Sequence, residues 1–577
     1  MTTTAQQPSY VPAKPGDEWR AAGLWRDETI LHDLRRWAAE RPGKPALVCY
    51  SGTEAQTVTY AELARRVDRL AVGLLRLGVR RGDVVTLQLP NSWELVALCL
   101  AAARVGAVAG PVVPTMRRRE VEFMARLTAS PVYIAAAEFR GFSYDEMSAE
   151  VAEAVPTLRH RVLLGTGLAE SGRLTDGALD FTRDLYAPEP APDLLASLDS
   201  LEAGPDDPGQ IMFTSGTTGE PKGVVHSHNT LYAMNKVQAD VLGLDGDEIT
   251  AMGSPTTHQA GFTWNFVMPL LLGATAVQVD RWDADRMLRI LQEQRVTFFM
   301  GAPTFLSDLI DAQRRTPHDL SALRSFATGS APIAPLLVED ADVVLGCRVY
   351  ALWGMTENGC VTVTRPEQPP LRAAESDGTA VPGMEIRVTA KDGTPVRPGE
   401  NGRLQVRGAA QCLGYFRRQK IYDASVTADG WFDTGDLARD DGHGGIRIVG
   451  RVKDMIMRGA ENIPVVEVEG ALLRHSAIRD VAVVGYPDER LGERACAFLV
   501  TTGPVLGLPD LQEHLAGLGM AKTYWPERVE LLPELPRTPS GKIQKFVLRD
   551  LLRTPGHAAS ADSAGPCDSS VLSGPTA

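Results

Sequence analysis

The 577-residue chain is 44% hydrophobic and 23% charged, an ordinary soluble composition over a length that exceeds one hydrophobic core and requires two or more domains. A formal charge of −13 excludes a nucleic-acid partner, and Arg117–Arg119, the one triple-basic run, reads as a solvated helix start. Seven scattered cysteines with no C-x-x-C pair read as reduced, mostly buried thiols of a cytoplasmic enzyme.

The N-terminus has neither the basic start nor the apolar core of a secretory signal, and residues 1–16 and 554–577 are predicted to be disordered tails. Ala46–Tyr50 and Gln56–Thr59 read as strands joined through Ser51-Gly52. Thr59 then caps a helix with Glu62 as its capping-box partner, Leu63, Val67, Leu70, Leu74 and Leu77 on one face, and a stop at Gly78. A strand at Val84–Leu89 precedes a helix at Trp93–Val105. The apolar stretch Leu95–Val113 is broken by Arg104, Gly106, Gly110 and Pro111, so it reads as a buried helix and strand rather than a membrane span. Strand Val296–Met300 precedes helix Pro303–Ala312, and Ser325–Thr328 and Val349–Trp353 are further strands. Such strand–helix units predict an α/β fold with layered, largely parallel sheets. From Met384 to Gly450 short strands and Gly/Asp/Pro turns predict a small β subdomain, and after Val452 a shorter αβ pattern runs to about Leu552.

Six segments carry candidate chemistry. Apolar Gln210–Phe213 runs into Thr214, Ser215, Gly216, Thr217, Thr218, Gly219 and Lys222, where glycines let backbone N–H groups face an anion and hydroxyls and a lysine add donors. It departs from the common P-loop because Gly223, not Ser or Thr, follows Lys222. Ser254–Phe262 offers His258 at the lip of a cleft. In Ala327–Ile333, Gly329 and Ala331 leave room for a flat ring, while the plainer reading is a strand-to-helix turn capped by Ser330. In Leu352–Asn358, Trp353 can cover an aromatic base and Thr356 and Glu357 offer oxygens to magnesium; the plainer reading is a buried Trp before a helix N-terminus. In Gly430–Leu437, Asp436 is a fixed carboxylate for two ribose hydroxyls, against an ordinary turn. Gly450–Glu469 and the distant Pro536–Lys545 form the sixth, with Lys542 on a loop that can reach a cleft formed elsewhere.

In this order, from about Trp19 to Leu552, the segments resemble the adenylate-forming superfamily of acyl-CoA synthetases, stand-alone adenylation domains and luciferases. GRVKDMIMRGAENI, DERLGERACAF, LPRTPSGKIQKF and WRAAGLW look most like ligases for medium-chain, alicyclic or aryl acids. The resemblance implies a large N-terminal domain at 17–450 with a β subdomain at 384–450, a hinge at 451–453 and a small mobile α+β domain at 454–553. It implies that Thr214–Lys222 hold the β- and γ-phosphates of ATP, and that Gly329, Ser330, Ala331, Pro332 and Trp353 border adenine. Thr356 and Glu357 would face the α-phosphate, Glu357 and Thr218 would hold magnesium, and Asp436 and Arg451 would grip the ribose. Lys453 matches the hinge, Lys542 the lysine bridging carboxylate and α-phosphate, and His258 the gate of an acyl pocket walled by Gln259, Ala260, Gly329 and Met355. Arg458, Gly459, Ala460 and Glu461 would line the thiol channel for CoA after the small domain rotates.

Two positions depart from the pattern. Related sequences commonly carry Gly-Gly-Glu-Asn where this chain has Gly459-Ala460-Glu461-Asn462, so a methyl either narrows the channel or is absorbed by a small backbone shift. Trp353 stands where Tyr is more usual. The expected activity is ATP-dependent activation of a hydrophobic carboxylic acid followed by transfer to CoA. The nearest alternative loads an acyl carrier protein, and a ligase specialised for one half-reaction uses the same segments.

Overall fold

The structure is a computed structural model that describes residues 16–165, 174–187, 189–214, 221–452, 454–458, 461–488, 490–503 and 505–553. The tails predicted at both ends lie outside these residues, apart from Gly16.

Two large sheets build the first domain. Six parallel strands, Arg348–Met355, Ser325–Gly329, Phe298–Gly301, Ile249–Met252, Thr275–Val279 and Pro45–Ser51, form the centre of a nine-stranded sheet with antiparallel edges. An eight-stranded sheet runs from Gly414–Tyr415 through Lys222–Ser227, Pro208–Thr214 and Val108–Pro111 to Val84–Gln88 and beyond. Helix Trp93–Arg104 is apolar all round because all of its residues but Glu94 are buried. Arg104, which interrupts that run, has its guanidinium satisfied by Asp199 at 2.6 Å, Asp68 at 2.9 Å and Glu202 at 3.0 Å. The expected cap is present on helix Tyr60–Arg76, where the Thr59 hydroxyl accepts from the Glu62 N–H and the Glu62 carboxylate accepts from the Thr59 N–H at 2.9 Å. Arg117 precedes helix Arg118–Thr128, as the basic run implied.

The β subdomain is an antiparallel sheet of Met384–Thr389, Gly402–Gly408, Phe432–Asp440 and Ile446–Arg451. A small domain follows. Its sheet of Glu461–Ile463, Ile456–Arg458, Gly492–Thr501, Ile478–Asp488 and Arg528–Leu531 is covered on one face by helices Val465–Leu472 and Leu508–Gly517 and on the other by Lys545–Arg553. Cys49, Cys99, Cys347, Cys360, Cys412 and Cys496 are all buried free thiols, as read from the sequence; Cys567 lies outside the described residues. No described helix is long and apolar enough to cross a membrane.

Candidate active site

Four connections leave the carboxyl ends of neighbouring parallel strands, where open α/β sheets bind ligands. They begin at Gly253, Ala302, Ser330 and Thr356. Beside them a crevice of about 480 Å³ is lined by Pro255, Pro303, Ala331 and Pro332 of the large domain and Thr538 and Gly541 of the small one.

The large-domain half is built from the strands themselves. Asp436 and Arg451 are direct cross-strand partners, and Arg451 Nε donates to Asp436 Oδ1 at 2.8 Å. The Asp436 backbone N–H donates to Thr434 Oγ1 at 3.0 Å, and the residue lies within strand Phe432–Asp440 rather than in a free turn. Trp353, on strand Arg348–Met355, donates from Nε1 to Asp436 Oδ2 at 3.0 Å. Glu357 is 6% exposed; desolvation pushes its carboxyl pKa up, opposed by the Tyr415 hydroxyl, which donates to Oε1 at 2.7 Å, and then by Lys222 and Arg451. Lys222 Nζ stands 4.9 Å over the Tyr415 ring. His226 is fully buried, and Nε2 lies 2.7 Å from the Thr356 carbonyl, so that nitrogen carries the proton; burial lowers its pKa to about 4 and keeps the ring neutral.

The small-domain half is one loop. Thr538 N–H donates to the Lys542 carbonyl at 2.8 Å, and the Lys542 N–H returns to Thr538 Oγ1 at 3.1 Å. Arg537 clasps this turn through the Gly541 carbonyl and ties it to Asp480. Gly541 has φ +84° and passes so close to the large domain that a Cβ there would lie 2.9 Å from Ala302 Cβ. The Lys542 side chain is exposed. Desolvation first, then Arg451, lowers its ammonium to about 8. His258, half-buried, is lowered to about 4 by desolvation and by Lys542, so it faces the lysine as a neutral ring.

The structure thus links Asp436, Arg451 and Trp353 by hydrogen bonds. It sets Glu357, next to Thr356, within electrostatic reach of Lys222 and Arg451, and Lys542 within reach of Arg451, Asp436 and His258. Thr214 ends its strand opposite Lys222 in an antiparallel register. Ser215, Gly216, Thr217, Thr218, Gly219, Lys453, Gly459 and Ala460 lie outside the described residues, as does the side chain of Glu461. Arg458 pairs with Glu527 at 2.9 Å within the small domain. Glu357 fits a hard cation held mainly by substrate phosphates: it is a buried carboxylate beside hydroxyl-bearing Thr356, and it needs positive charge to offset its desolvation.

Several expectations are corrected. Gly329 leaves no room for a ring, because the space a Cβ would take is filled by the Leu352 carbonyl at 2.4 Å; the glycine lets two strands approach. Ser330 caps nothing: it sits at φ +73°, and the next helix, Pro335–Asp340, starts after Ala334. Thr356 and Glu357 occupy a hairpin turn between Arg348–Met355 and Gly359–Val363 rather than a helix N-terminus. Trp353 directs its indole edge at Asp436, and its ring packs in the main core. Tyr415 and His226 were missed; Tyr415 lies in an apolar Leu-Gly-Tyr-Phe run and His226 in an apolar strand, with no local pattern to mark either.

A large layered α/β domain carrying the bonded Asp436–Arg451 pair, followed by a small α+β domain carrying Lys542, is the architecture of the two-domain adenylate-forming ligases. The chain belongs to the AMP-binding enzyme family, whose model matches residues 34–416, followed by the AMP-binding enzyme C-terminal domain at 467–542. It is 32% identical over 538 residues to the medium-chain fatty-acid–CoA ligase of Escherichia coli (strain K12), covering 93% of this chain and 92% of that one. It is 35% identical over 546 residues to triostin synthetase I of Streptomyces triostinicus, with 94% and 97% covered. The anthranilate CoA ligase AuaEII in complex with anthranoyl-AMP superposes with a TM-score of 0.79 at 26% identity, covering 92% of this chain and 99% of that chain.

Proposed function

We propose that this protein activates a hydrophobic carboxylic acid, of medium-chain, alicyclic or aryl type, with ATP to an acyl adenylate, and then transfers the acyl group to CoA with release of AMP. The observation that carries this reading is the Lys542 loop itself, whose Gly541 lies against Ala302 of the large domain and sets the ammonium near enough to Arg451, Asp436 and His258 for their charges to act on one another. In the first step the acid's carboxylate oxygen attacks the α-phosphorus and pyrophosphate leaves. Two anions must meet, and Lys542 supplies a cation at that point, where a fixed positive charge offsets their repulsion. Asp436 accepts from the ribose, with Arg451 fixing its carboxylate. Thr214–Lys222 take the outer phosphates. Neutral His258 closes the acyl side without adding a charge to a hydrophobic pocket. Magnesium, held by Glu357 and Thr218, would neutralise phosphate charge when bound.

In the second step a thiol attacks the acyl carbon and AMP leaves. The small domain, taken as 454–553, swings about Lys453 from the large domain at 17–450, withdraws Lys542 and brings Arg458–Glu461 to the thiol. The phosphopantetheine of an acyl carrier protein is the alternative acceptor.

Acid-dependent pyrophosphate release over a panel of acids, with products followed by mass spectrometry with and without CoA, tests this. Acyl-CoA and AMP from a medium-chain, alicyclic or aryl acid are expected. Turnover of acetate alone would overturn the substrate class. Pyrophosphate and adenylate without acyl-CoA would move the acceptor to a carrier protein.

A further inference from the structure

The Trp353–Asp436 contact joins two separate sheets. Trp353 belongs to the nine-stranded sheet and Asp436 to the four-stranded subdomain, 83 residues further along the chain. Both are buried, at 8% and 3% exposure. An ionised carboxylate offers about four acceptor directions. Arg451 takes one on Oδ1 and Trp353 takes one on Oδ2, at 2.8 and 3.0 Å. One direction on each oxygen is left, which matches two neighbouring hydroxyls. The indole N–H is donor-only and the ring is wedged in the core, so this bond cannot be exchanged for another by a rotation of the side chain. A phenol in its place would carry a hydroxyl that both donates and accepts and would compete for the same ligand.

We propose that Trp353 is a positioning residue for the ribose carboxylate, and that it sets how strictly the site demands both ribose hydroxyls. This rests on the reading of Asp436 as the ribose group. Losing the N–H leaves Oδ2 free to turn, and the carboxylate then accepts a single hydroxyl nearly as well as a pair.

The test is Trp353→Phe in the full-length enzyme, assayed by pyrophosphate release with ATP, 2′-deoxy-ATP and 3′-deoxy-ATP. KM for ATP is expected to rise about tenfold with kcat within about threefold, and the preference for ATP over either deoxynucleotide to fall by about tenfold. On an Asp436→Asn background the same substitution is expected to add less than about twofold, because its effect passes through that carboxylate. Where Trp353→Phe lowers the melting temperature enough to obscure kinetics, site-specific Trp353→3-benzothienylalanine keeps the ring shape and removes only the N–H. Unchanged ribose preference, or full additivity with Asp436→Asn, overturns the proposal. If the wild type releases no pyrophosphate with any acid, calorimetric binding of the three nucleotides gives the same comparison: a preference lost in Trp353→Phe supports this assignment while the ligase reading fails, and none in the wild type overturns both.

Discussion

The two halves of the cleft are held by different means. On the large-domain side Asp436, Glu357, Trp353 and His226 are 3%, 6%, 8% and 0% exposed, and each is bonded to a neighbouring strand or hairpin. On the small-domain side Lys542 meets solvent, and only its backbone is fixed, by a turn of five residues closed on Thr538. Groups that must await the nucleotide are built into sheets, where reorganisation is slight. On the reading proposed above, the cation needed for the first step stands on a small-domain loop that a domain movement would carry away.

The comparison breaks most visibly at its mobile member. Lys542→Ala is expected to lower acid-dependent pyrophosphate release roughly 10²–10³-fold. Thiolysis of a supplied acyl adenylate should stay within a few fold; equal losses in both steps would contradict delivery by a moving loop. Gly541→Ala should cost about tenfold or more in the same first step, because φ +84° is strained for alanine and its methyl meets Ala302. A Gly541→Ala enzyme with wild-type pyrophosphate kinetics would mean that the loop does not close as seen here.

On the fixed side, Tyr415→Phe removes the hydroxyl that lowers the Glu357 pKa, which should cost about tenfold in kcat/KM for ATP and move the acid limb of the pH profile to higher pH. An unmoved acid limb would separate Glu357 from the reaction. The gentlest probe is pH itself. Lys542 is charged below about 8 and neutral above it in the free enzyme, so kcat/KM for adenylate formation should fall as pH rises through about 8. The limb should vanish in Lys542→Arg, whatever its residual rate, since a guanidinium stays protonated there.

How far the sequence alone reached follows the same division. Strand–helix alternation, the Thr59–Glu62 cap and the β subdomain were legible because each is a local pattern of hydrophobicity or turn chemistry. Asp436, Glu357, His258 and Lys542 were candidates because their segments, taken in order, resemble a known family; none stands out by local composition alone. Tyr415 and His226 were not, since their neighbours are apolar and only the pairing of Lys222–Ser227 with Gly414–Tyr415 brings them to the site. What the sequence did not show at Gly329 and Trp353 is a partner on another strand, the Leu352 carbonyl and the Asp436 carboxylate.

The buried cysteines carry a consequence for an enzyme whose second substrate is a thiol. Every described cysteine is buried, and desolvation raises the Cys347, Cys360 and Cys496 thiols to about 12, with Cys49, Cys99 and Cys412 raised as well. Such sulfurs stay protonated at neutral pH and present no thiolate. A mixed anhydride waiting in the cleft therefore meets no rival nucleophile of the same chemistry among them, and an oxidised acceptor finds none of them ready for exchange. With Cys567 replaced by serine, the same inertness would let a single engineered surface cysteine be labelled selectively, and so allow the distance between the two domains to be followed during turnover.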